Sequence, residues 1–275
     1  MAYPTVSAAY GYKPVNLIGG QVFAGSTREY PIAYNYGTAI YNGDPVTLTA
    51  GYTVLATLPV STTNTTVGVF LGCYYTNPTT KQRLYSQFYP GNVTAGDITA
   101  IVGDDPDVVI RCAVTTAAGA TTIGSASSLL VGQNMAGNTL TGSVLTGNGA
   151  GSVVAATTNT SGAGFRVLGL VPDTQTEYSG TSNAAYSSTA TTVVINGLPV
   201  GVTIPVGTDL FNLVNGQLQF VATIASAVAS TVASAQSFTT TSTGVNIPSG
   251  GTLVLVQSPE VLVKWNFGAH RYYVA

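Results

Sequence analysis

Apolar and β-branched residues occur along most of the chain in short runs that end at Gly, Pro, Asn or Asp. Examples are the runs at 67–75, 98–102 and 261–267, which are rich in Val, Ile, Leu and aromatic residues. Runs of this kind are typical of β-strands, and turn signals about every eight to twelve residues are typical of a sandwich or barrel. The pattern therefore predicts an all-β protein with a β-sandwich or barrel body.

Residues 74–85 contain a signal for a tight reversal. Asn77 and Pro78 lie between the runs Tyr-Tyr-Thr and Arg-Leu-Tyr. The Asn side chain can accept hydrogen bonds from the backbone that follows it, and the Pro ring fixes φ at a value suited to a turn. We therefore expect a β-hairpin here.

One segment also has the spacing of a helix. Phe220, Ile224, Val228 and Val232 are four residues apart, which places them on one helical face. Thr and Val lower the helix propensity of the segment, and it has no charged residue to solvate an outer face. Two interpretations remain open, a helix or a pair of strands joined by a turn of small residues.

The amino-acid composition of the first part of the chain predicts an extended arm followed by a folded body. Residues 1–40 contain several prolines among many tyrosines, and they predict an extended N-terminal arm. The sandwich or barrel body is expected over 41–173 and 258–275. Within it, 116–162 is a Gly- and Thr-rich excursion with no aromatic residue, typical of a long loop or of thin strands lying on a partner.

The charge content of the sequence changes toward the C-terminus. Residues 181–257 contain a single charged residue, Asp209. Because the flanking segments have ordinary turns and charges, we expect 174–257 to be a second, small β domain inserted near the C-terminus.

The composition is poor in charge. Of the 275 residues, 45% are hydrophobic and 7% are charged, and the formal net charge is -2. An average globular chain is about 25% charged. The surface is therefore expected to be solvated by small polar residues, covered by other protein, or both. Self-association fits such a surface, because exposed β edges without charge invite pairing, and a homotrimer is the first expectation and a dimer the second.

Charge and hydropathy exclude several classes of protein. With nearly balanced charge there is no basic field to attract phosphate groups, so no nucleic-acid partner is expected. No apolar run reaches the roughly 18 residues that a membrane-spanning helix needs, so no membrane partner is expected either. Residues 1–5 lack the features of a secretory signal.

Residues that could carry catalysis are scarce. His270 is the only histidine and is expected at the surface or in an interface, and there are three lysines. No Gly-x-Ser-x-Gly elbow, phosphate-binding loop or His-Glu-x-x-His motif is present. Cys73 and Cys112 lie 39 residues apart within apolar runs, and they predict buried reduced thiols. The sequence thus predicts a protein that is not an enzyme and has no cofactor.

The densest acidic cluster contains Asp104, Asp105 and Asp107. Three carboxylates could bind a hard cation such as Ca²⁺, but the alternate spacing and closing Glu of a calcium loop are missing. The favoured interpretation is a hairpin turn, in which Asp accepts hydrogen bonds from its own backbone and Pro106 sets the bend. The three acids remain weak candidates for a metal site.

Aromatic residues are concentrated in the first forty positions. Large amphipathic rings are used both to stack on sugars and to anchor protein interfaces. We favour an adhesive, packing role for the arm. The expected contact residues are Tyr10, Tyr12, Pro14, Val15, Phe23, Arg28 and Tyr30.

Six segments carry motifs that are familiar together. They are GYKPVNLIGGQVFAGSTR at 11–28, IYNGDPV at 40–46, VGVFLGC at 67–73, YSQFYPG at 85–91, DDPD at 104–107 and VLVKWNFG at 261–268. This set resembles a family of small structural proteins in tailed phages of aquatic bacteria. Residues 181–257 do not share the resemblance.

The resemblance implies a virion structural protein, most plausibly a capsid decoration (cement) protein. Such a protein is made in the host cytoplasm, binds the major capsid protein on the exterior of the head, and stabilises the shell by bridging capsid subunits. Deletion of residues 1–28 is then expected to abolish attachment while the body stays folded. The alternative hypothesis is a phage tail or surface adhesin that binds host glycan or envelope through 174–257. A depolymerase is the least favoured hypothesis.

Overall fold

The computed structural model describes residues 6–56, 65–138, 140–158, 162–229 and 235–273, and it confirms an all-β fold. Short 3-10 turns lie at Ser128–Leu130, Pro172–Thr174 and Arg271–Tyr273. The strands in chain order are β1 Lys13–Leu17, β2 Arg28–Pro31, β3 Pro45–Thr49, β4 Tyr52–Leu55, β5 Gly68–Thr76, β6 Arg83–Ser86, β7 Thr99–Gly103, β8 Val108–Thr115, β9 Asn134–Asn138, β10 Ser152–Thr158, β11 Phe165–Leu170, β12 Thr176–Ser182, β13 Thr192–Asn196, β14 Thr203–Ile204, β15 Asp209–Val214, β16 Gln217–Thr223, β17 Val228–Ala229, β18 Gln236–Thr239, β19 Thr252–Gln257 and β20 Glu260–Trp265.

The first sheet is a closed barrel. Strands β8, β10, β9, β11 and β20 follow one another, and β20 pairs with β8 to complete the ring. Strand β1 pairs with the first half of β8. Alternate side chains of each strand point inward. The buried residues that form this core are Tyr12, Val69, Val108, Ile110, Cys112, Val114, Ala126, Met135, Val153, Ala155, Phe165, Val167, Val261, Val263 and Trp265.

The excursion predicted at 116–162 supplies part of this barrel. It contains β9 and β10. The first residues of β10 pair with both β9 and β8. The thin strands therefore lie on the protein's own barrel, where small side chains allow close packing beside the larger residues of β8 and β20.

The second sheet, which we call the N-terminal sheet, has the strand order β2, β7, β5, β3, β4, with β6 also paired to β5. Strands β5 and β6 form the hairpin predicted at 74–85, with Tyr74 opposite Tyr85. The Asn77 side chain accepts hydrogen bonds from the backbone N–H groups of Thr79 and Thr80 at 2.8 and 3.1 Å, as the turn interpretation requires. Cys73 and Cys112 are buried and free, which confirms the prediction of reduced thiols.

Within the predicted N-terminal arm, the described residues 6–40 are not separate from the body. Strand β1 pairs with β8 of the barrel, and β2 pairs with β7 of the N-terminal sheet. The segment is extended, as its prolines indicate, but its backbone groups are satisfied by strands of the body. Residues 6–40 therefore connect the two sheets.

Six of the strands from β12 to β19 form a third sheet, which we call the insert sheet, with the order β16, β15, β19, β12, β13, β18, and β14 and β17 form a separate pair. A bridge between Ile224 and Thr240 joins its two ends. Its core is aliphatic except for one phenylalanine, and it consists of Val193, Ile195, Leu198, Ile204, Leu210, Val221, Ala222, Ile224, Phe238, Ile247, Leu253 and Leu255. The second domain was predicted over 174–257. Strand β12 begins at Thr176, two residues after the start of that range, and β19 ends at Gln257, its last residue.

The helical interpretation of 220–232 is wrong for the part that the structure describes. Phe220 and Ile224 lie in or beside β16, and Val228 lies in β17. The two strands do not pair with each other, because β16 pairs with β15 and β17 pairs with β14. β-branched residues and the partner strands override the spacing of four. Val232 lies outside the described residues.

Candidate functional site

An exposed loop at 18–27 joins β1 of the barrel to β2 of the N-terminal sheet. Its apolar residues Ile18 and Val22 are 42% and 76% exposed. The loop is held at its base, where the Leu17 N–H donates to the Gln21 carbonyl at 2.8 Å and the Ile18 N–H donates to the Asp107 carbonyl at 3.0 Å. We call this loop, with the adjoining side chains of Arg28, Tyr30 and Tyr272, the N-terminal surface.

A buried carboxylate organises one side of this surface. Asp104 is 5% exposed, and its Oδ2 lies 3.2 Å from Arg28 Nε. The hydroxyl groups of Tyr30 and Tyr272 both donate to the same oxygen at 2.8 Å. The Asp104 carboxylate raises the pKa of the Arg28 guanidinium, and burial, followed by the hydrogen bonds of Tyr272 and Asp104, raises the pKa of Tyr30. The Arg28 guanidinium and the hydroxyl groups of Tyr30 and Tyr272 therefore converge on one carboxylate oxygen.

The Arg28 guanidinium also lies over the ring of Tyr272, with 5.7 Å between its central carbon and the ring centroid. Its Nη1 donates to the Tyr272 hydroxyl at 2.7 Å. The Arg28 side chain is nevertheless 61% exposed. The Arg28 guanidinium is thus oriented by its neighbours but still solvated. It can bind a partner at a modest desolvation cost.

The predicted contact residues are distributed over different environments. Arg28 is exposed, and Phe23 and Tyr30 are half-buried beside it. Pro14 and Val15 are half-buried within β1. The structure places Arg28 and Tyr30 in the cluster around Asp104 and packs Phe23 against the barrel core, and a role of these residues in contact with a partner stays a prediction.

Tyr12 is a correction to the predicted contact set. It is fully buried, its ring stacks on Phe165 at 4.8 Å, and its hydroxyl donates to the Ser152 carbonyl at 2.5 Å. A partner cannot reach it without opening the barrel. The alternation of β1 and the residues before it places this ring inward, and periodicity in so short a segment does not reveal which face is covered.

Tyr10 is half-buried and also has an internal role. Its hydroxyl donates to Glu260, and the Arg111 Nε donates to the same carboxylate at 3.0 Å. Burial, followed by the hydrogen bond and the charge of Glu260, raises the pKa of Tyr10. The phenol therefore stays protonated and joins the N-terminal segment to β8 and β20.

Three residues of the surface were missed from sequence, namely Ile18, Val22 and Tyr272. Gly19 and Gly20 both have positive φ, at 91° and 80°. A glycine pair between apolar residues is a signal for a turn that displays its neighbours, and it could have identified Ile18 and Val22. No local pattern identifies Tyr272, because the residues that place its hydroxyl group at this surface, Arg28, Tyr30 and Asp104, are more than 160 positions away.

The acidic cluster is a turn, but it is not a hairpin. The Asp105 Oδ1 accepts from the Asp107 N–H at 2.9 Å, as expected for an Asp-stabilised turn. The flanking strands β7 and β8 belong to different sheets, so the turn is a crossover between them. Asp104 points to Arg28 and the tyrosines. Among the described residues no three His, Cys, Asp or Glu side chains are grouped as a metal site.

His270 differs from the expectation of a surface or interface residue. It is fully buried, and its ring lies 5.9 Å from that of Trp265 and 5.1 Å from that of Tyr272. Its Nδ1 accepts from the Tyr272 N–H at 3.3 Å. Burial lowers its pKa, so the ring is neutral at pH 7 and packs as an aromatic residue.

No protein-family model, curated protein or solved structure matches this chain. The described residues also include no helix with the length and apolar character needed to cross a membrane.

Proposed function

We propose that this protein is a virion structural protein, a capsid decoration protein that binds the outer surface of a phage head and bridges neighbouring capsid subunits. Its partner is the major capsid protein, and its role is adhesion and not catalysis. The motifs at 11–28 and 261–268, which resemble those of phage structural proteins, support this proposal. Self-association as a homotrimer, with a dimer as second choice, belongs to the same proposal.

The observation that carries the proposal is the exposed apolar loop on a rigid base. Ile18 and Val22 present apolar side chains, while strands β1 and β2 hold the two ends of the loop in different sheets. A loop that is already ordered loses less conformational entropy on binding. Each apolar side chain that becomes buried contributes about 25 cal/mol per Å² removed from water. Repeated over many subunits of a shell, modest contacts of this kind stabilise the assembly.

The direct test is attachment to heads that lack the protein. The double variant Ile18→Asp/Val22→Asp is mixed with such heads, and bound protein is measured after sedimentation. We expect occupancy to fall by roughly tenfold or more, since two charges would be desolvated in the interface. Val200→Asp is the matched control, because Val200 is 59% exposed in a loop of the insert sheet. Wild-type occupancy of the double variant, or equal loss in the control, contradicts the assignment of this surface.

The deletion of residues 1–28 is not a suitable test. It would remove β1 and Tyr12, which belong to the barrel. Loss of attachment would then report loss of folding.

One feature favours the adhesin as the second candidate. Strands β15 and β16 join through Asn215 and Gly216, both with positive φ, and the hairpin end displays Leu213, Val214 and Leu218, which are 40 to 48% exposed. A sequence Asn-Gly between strands is a strong signal for a two-residue hairpin. Val214→Asp should abolish binding to host cells if the insert sheet is an adhesin, and should leave attachment to heads unchanged if the capsid proposal is correct.

A further inference from the structure

The hairpin of β5 and β6 carries an arginine beside a pair of tyrosines on an exposed part of the N-terminal sheet. Tyr74 and Tyr85 lie opposite each other with their ring centroids 5.5 Å apart. The central carbon of the Arg83 guanidinium lies 4.0 Å from the centroid of Tyr74 and 5.5 Å from that of Tyr85. Tyr85 remains 71% exposed. We call this group of residues the Tyr–Arg face.

The Arg83 guanidinium is oriented by the two rings but has no hydrogen-bond acceptor among the described residues. Cation–π contacts restrain its plane, and a guanidinium carries five N–H donors in a fixed fork. Arg83 is exposed, so water satisfies these donors in the free protein. Because the two rings already restrict the Arg83 side chain, it loses less conformational entropy when its N–H groups donate to a ligand.

Acceptors lie beside these donors. Glu29 Oε2 accepts from the Tyr74 hydroxyl at 2.7 Å, which leaves its other lone pairs open. Asp97 accepts from the N–H and hydroxyl of Thr76, at 3.0 and 2.6 Å. These hydrogen bonds lower the pKa of Asp97, and Arg83 lowers it further, so the carboxylate stays ionised at neutral pH. Both acids are exposed.

The combination selects one class of ligand. Two carboxylates beside a single guanidinium leave an excess of negative charge, which disfavours an anionic ligand. Hydroxyl groups both donate and accept, so a ring that carries several of them can bond to Arg83 and to the acids together. The apolar face of such a ring can pack on the exposed ring of Tyr85. The donors, acceptors and exposed ring of the site are therefore suited to a polyhydroxylated ligand without negative charge.

We propose that the Tyr–Arg face, formed by Tyr74, Arg83 and Tyr85 with Glu29 and Asp97, is a binding site for a neutral oligosaccharide. This site lies in the N-terminal sheet and is independent of the contact with the capsid, so either proposal can stand without the other. It would give a capsid-bound protein a means of holding the particle near a surface coated with glycans.

The test is titration of the full chain with defined sugars. The probes are the neutral hexamers maltohexaose, cellohexaose, mannohexaose and chitohexaose. Hexagalacturonate is the acidic hexamer used for comparison. Binding is measured by calorimetry or NMR. We expect saturable binding of at least one neutral hexamer. Tyr85→Ala should weaken it by roughly tenfold, the upper range for loss of one aromatic contact. Tyr34→Ala is the matched control, because Tyr34 is 65% exposed in the loop after β2.

A second variant tests the role of the guanidinium. Arg83→Lys keeps the charge and loses the planar fork, so we expect a loss of affinity comparable to that of Tyr85→Ala. The thermal midpoint of each variant shows whether the sheet is intact. The proposal is overturned if no neutral hexamer binds at millimolar concentration, if only hexagalacturonate binds, or if Tyr34→Ala weakens binding as much as Tyr85→Ala. Binding that survives both Tyr85→Ala and Arg83→Lys overturns it as well.

Discussion

The hydrophobic cores of the barrel and of the insert sheet are filled by different kinds of side chain. The barrel core contains a stack of large aromatic rings, with Tyr12 4.8 Å from Phe165 and Phe165 4.9 Å from Trp265. The insert core is aliphatic apart from Phe238. Large rings fill a closed barrel to which distant segments contribute, while branched aliphatic residues suffice for a sheet made from one continuous segment.

The two regions also use charge differently. In the body, Arg111 pairs with Glu260 across 149 residues, and Arg28 of β2 pairs with Asp104, which follows the neighbouring strand β7. In the insert, Asp209 is 3% exposed, and its Oδ2 accepts from the Ser128 N–H of the body at 2.7 Å. The few charges of this chain thus act partly as internal links between remote segments. A low charge count therefore reflects both a neutral surface and the use of several charges inside.

The largest effect is expected from the aromatic stack. Tyr12→Ala should lower the free energy of unfolding of the barrel by about 3–5 kcal/mol, as for other buried rings. Phe238→Ala should cost a similar amount in the insert sheet. Trp265 is the only tryptophan and lies in the barrel, so its fluorescence in urea reports the body alone. If Phe238→Ala shifts the Trp265 transition as much as Tyr12→Ala does, the two cores are one cooperative unit and the distinction between them fails.

Excision of the insert should have a smaller effect on the body. Thr176 and Gln257 are paired, so a Gly-Ser linker of about four residues can replace 177–256. Four hydrogen bonds at the junction would be lost, at about 1 kcal/mol each, namely those of Ser128 with Asp209, Ser125 with Val206, Ser127 with Thr223 and Gln257 with Thr203. We expect the Trp265 transition to persist at a lower urea midpoint. Failure of the shortened chain to fold shows that the barrel needs the insert.

The pH dependence of stability should reveal a buried acid of the body. Asp44 is 2% exposed, its Oδ2 accepts from the Tyr41 N–H at 2.8 Å, and no described residue bonds its Oδ1. Burial raises the pKa of Asp44 to about 6. Because this pKa is above the unfolded value, the stabilising contribution is full below about pH 4 and is lost as the pH rises through 6.

Asp44→Asn should therefore stabilise the protein at pH 7.5 by on the order of 2 kcal/mol, and by little at pH 4. Asn keeps the acceptor for Tyr41. Urea unfolding at both pH values measures the difference, and Asp173→Asn, at an exposed acid, controls for the loss of one negative charge. An equal effect of Asp44→Asn at both pH values contradicts the assignment.

The smallest effect is expected at the junction. Asp209→Ala leaves the Ser128 N–H without its acceptor and should cost about 1–2 kcal/mol, whereas Asp209→Asn keeps an acceptor and should be close to neutral. Burial raises the pKa of Asp209, so the wild type should lose stability relative to Asp209→Asn as the pH rises from 4 toward neutrality. Hydrogen exchange of the Ser128 amide measures the local change. Equal behaviour of both variants would mean that Asp209 acts through its charge alone.

The local features of this fold could be predicted because they depend on neighbours in the chain. The hairpin at 74–85 has its turn residues beside its strands, and the buried thiols lie in apolar runs. The helical spacing at 220–232 misled because a period of four in small and β-branched residues also fits strands whose partners are elsewhere. Phe23, Arg28 and Tyr30 were named from the aromatic and basic character of one short segment, whereas the place of Tyr272 beside Arg28 depends on contacts across the fold.

Residue order alone was enough to set the all-β class and to mark a charge-poor segment near the C-terminus, because strand propensity, turn chemistry and texture are properties of short windows. Only the folded chain decided that Tyr12 and His270 are buried, that residues 6–40 join two sheets, and that Arg83 lies beside two tyrosines. These outcomes depend on which strands become neighbours. In a sheet protein that order is set by contacts between residues far apart in sequence, which no local pattern contains.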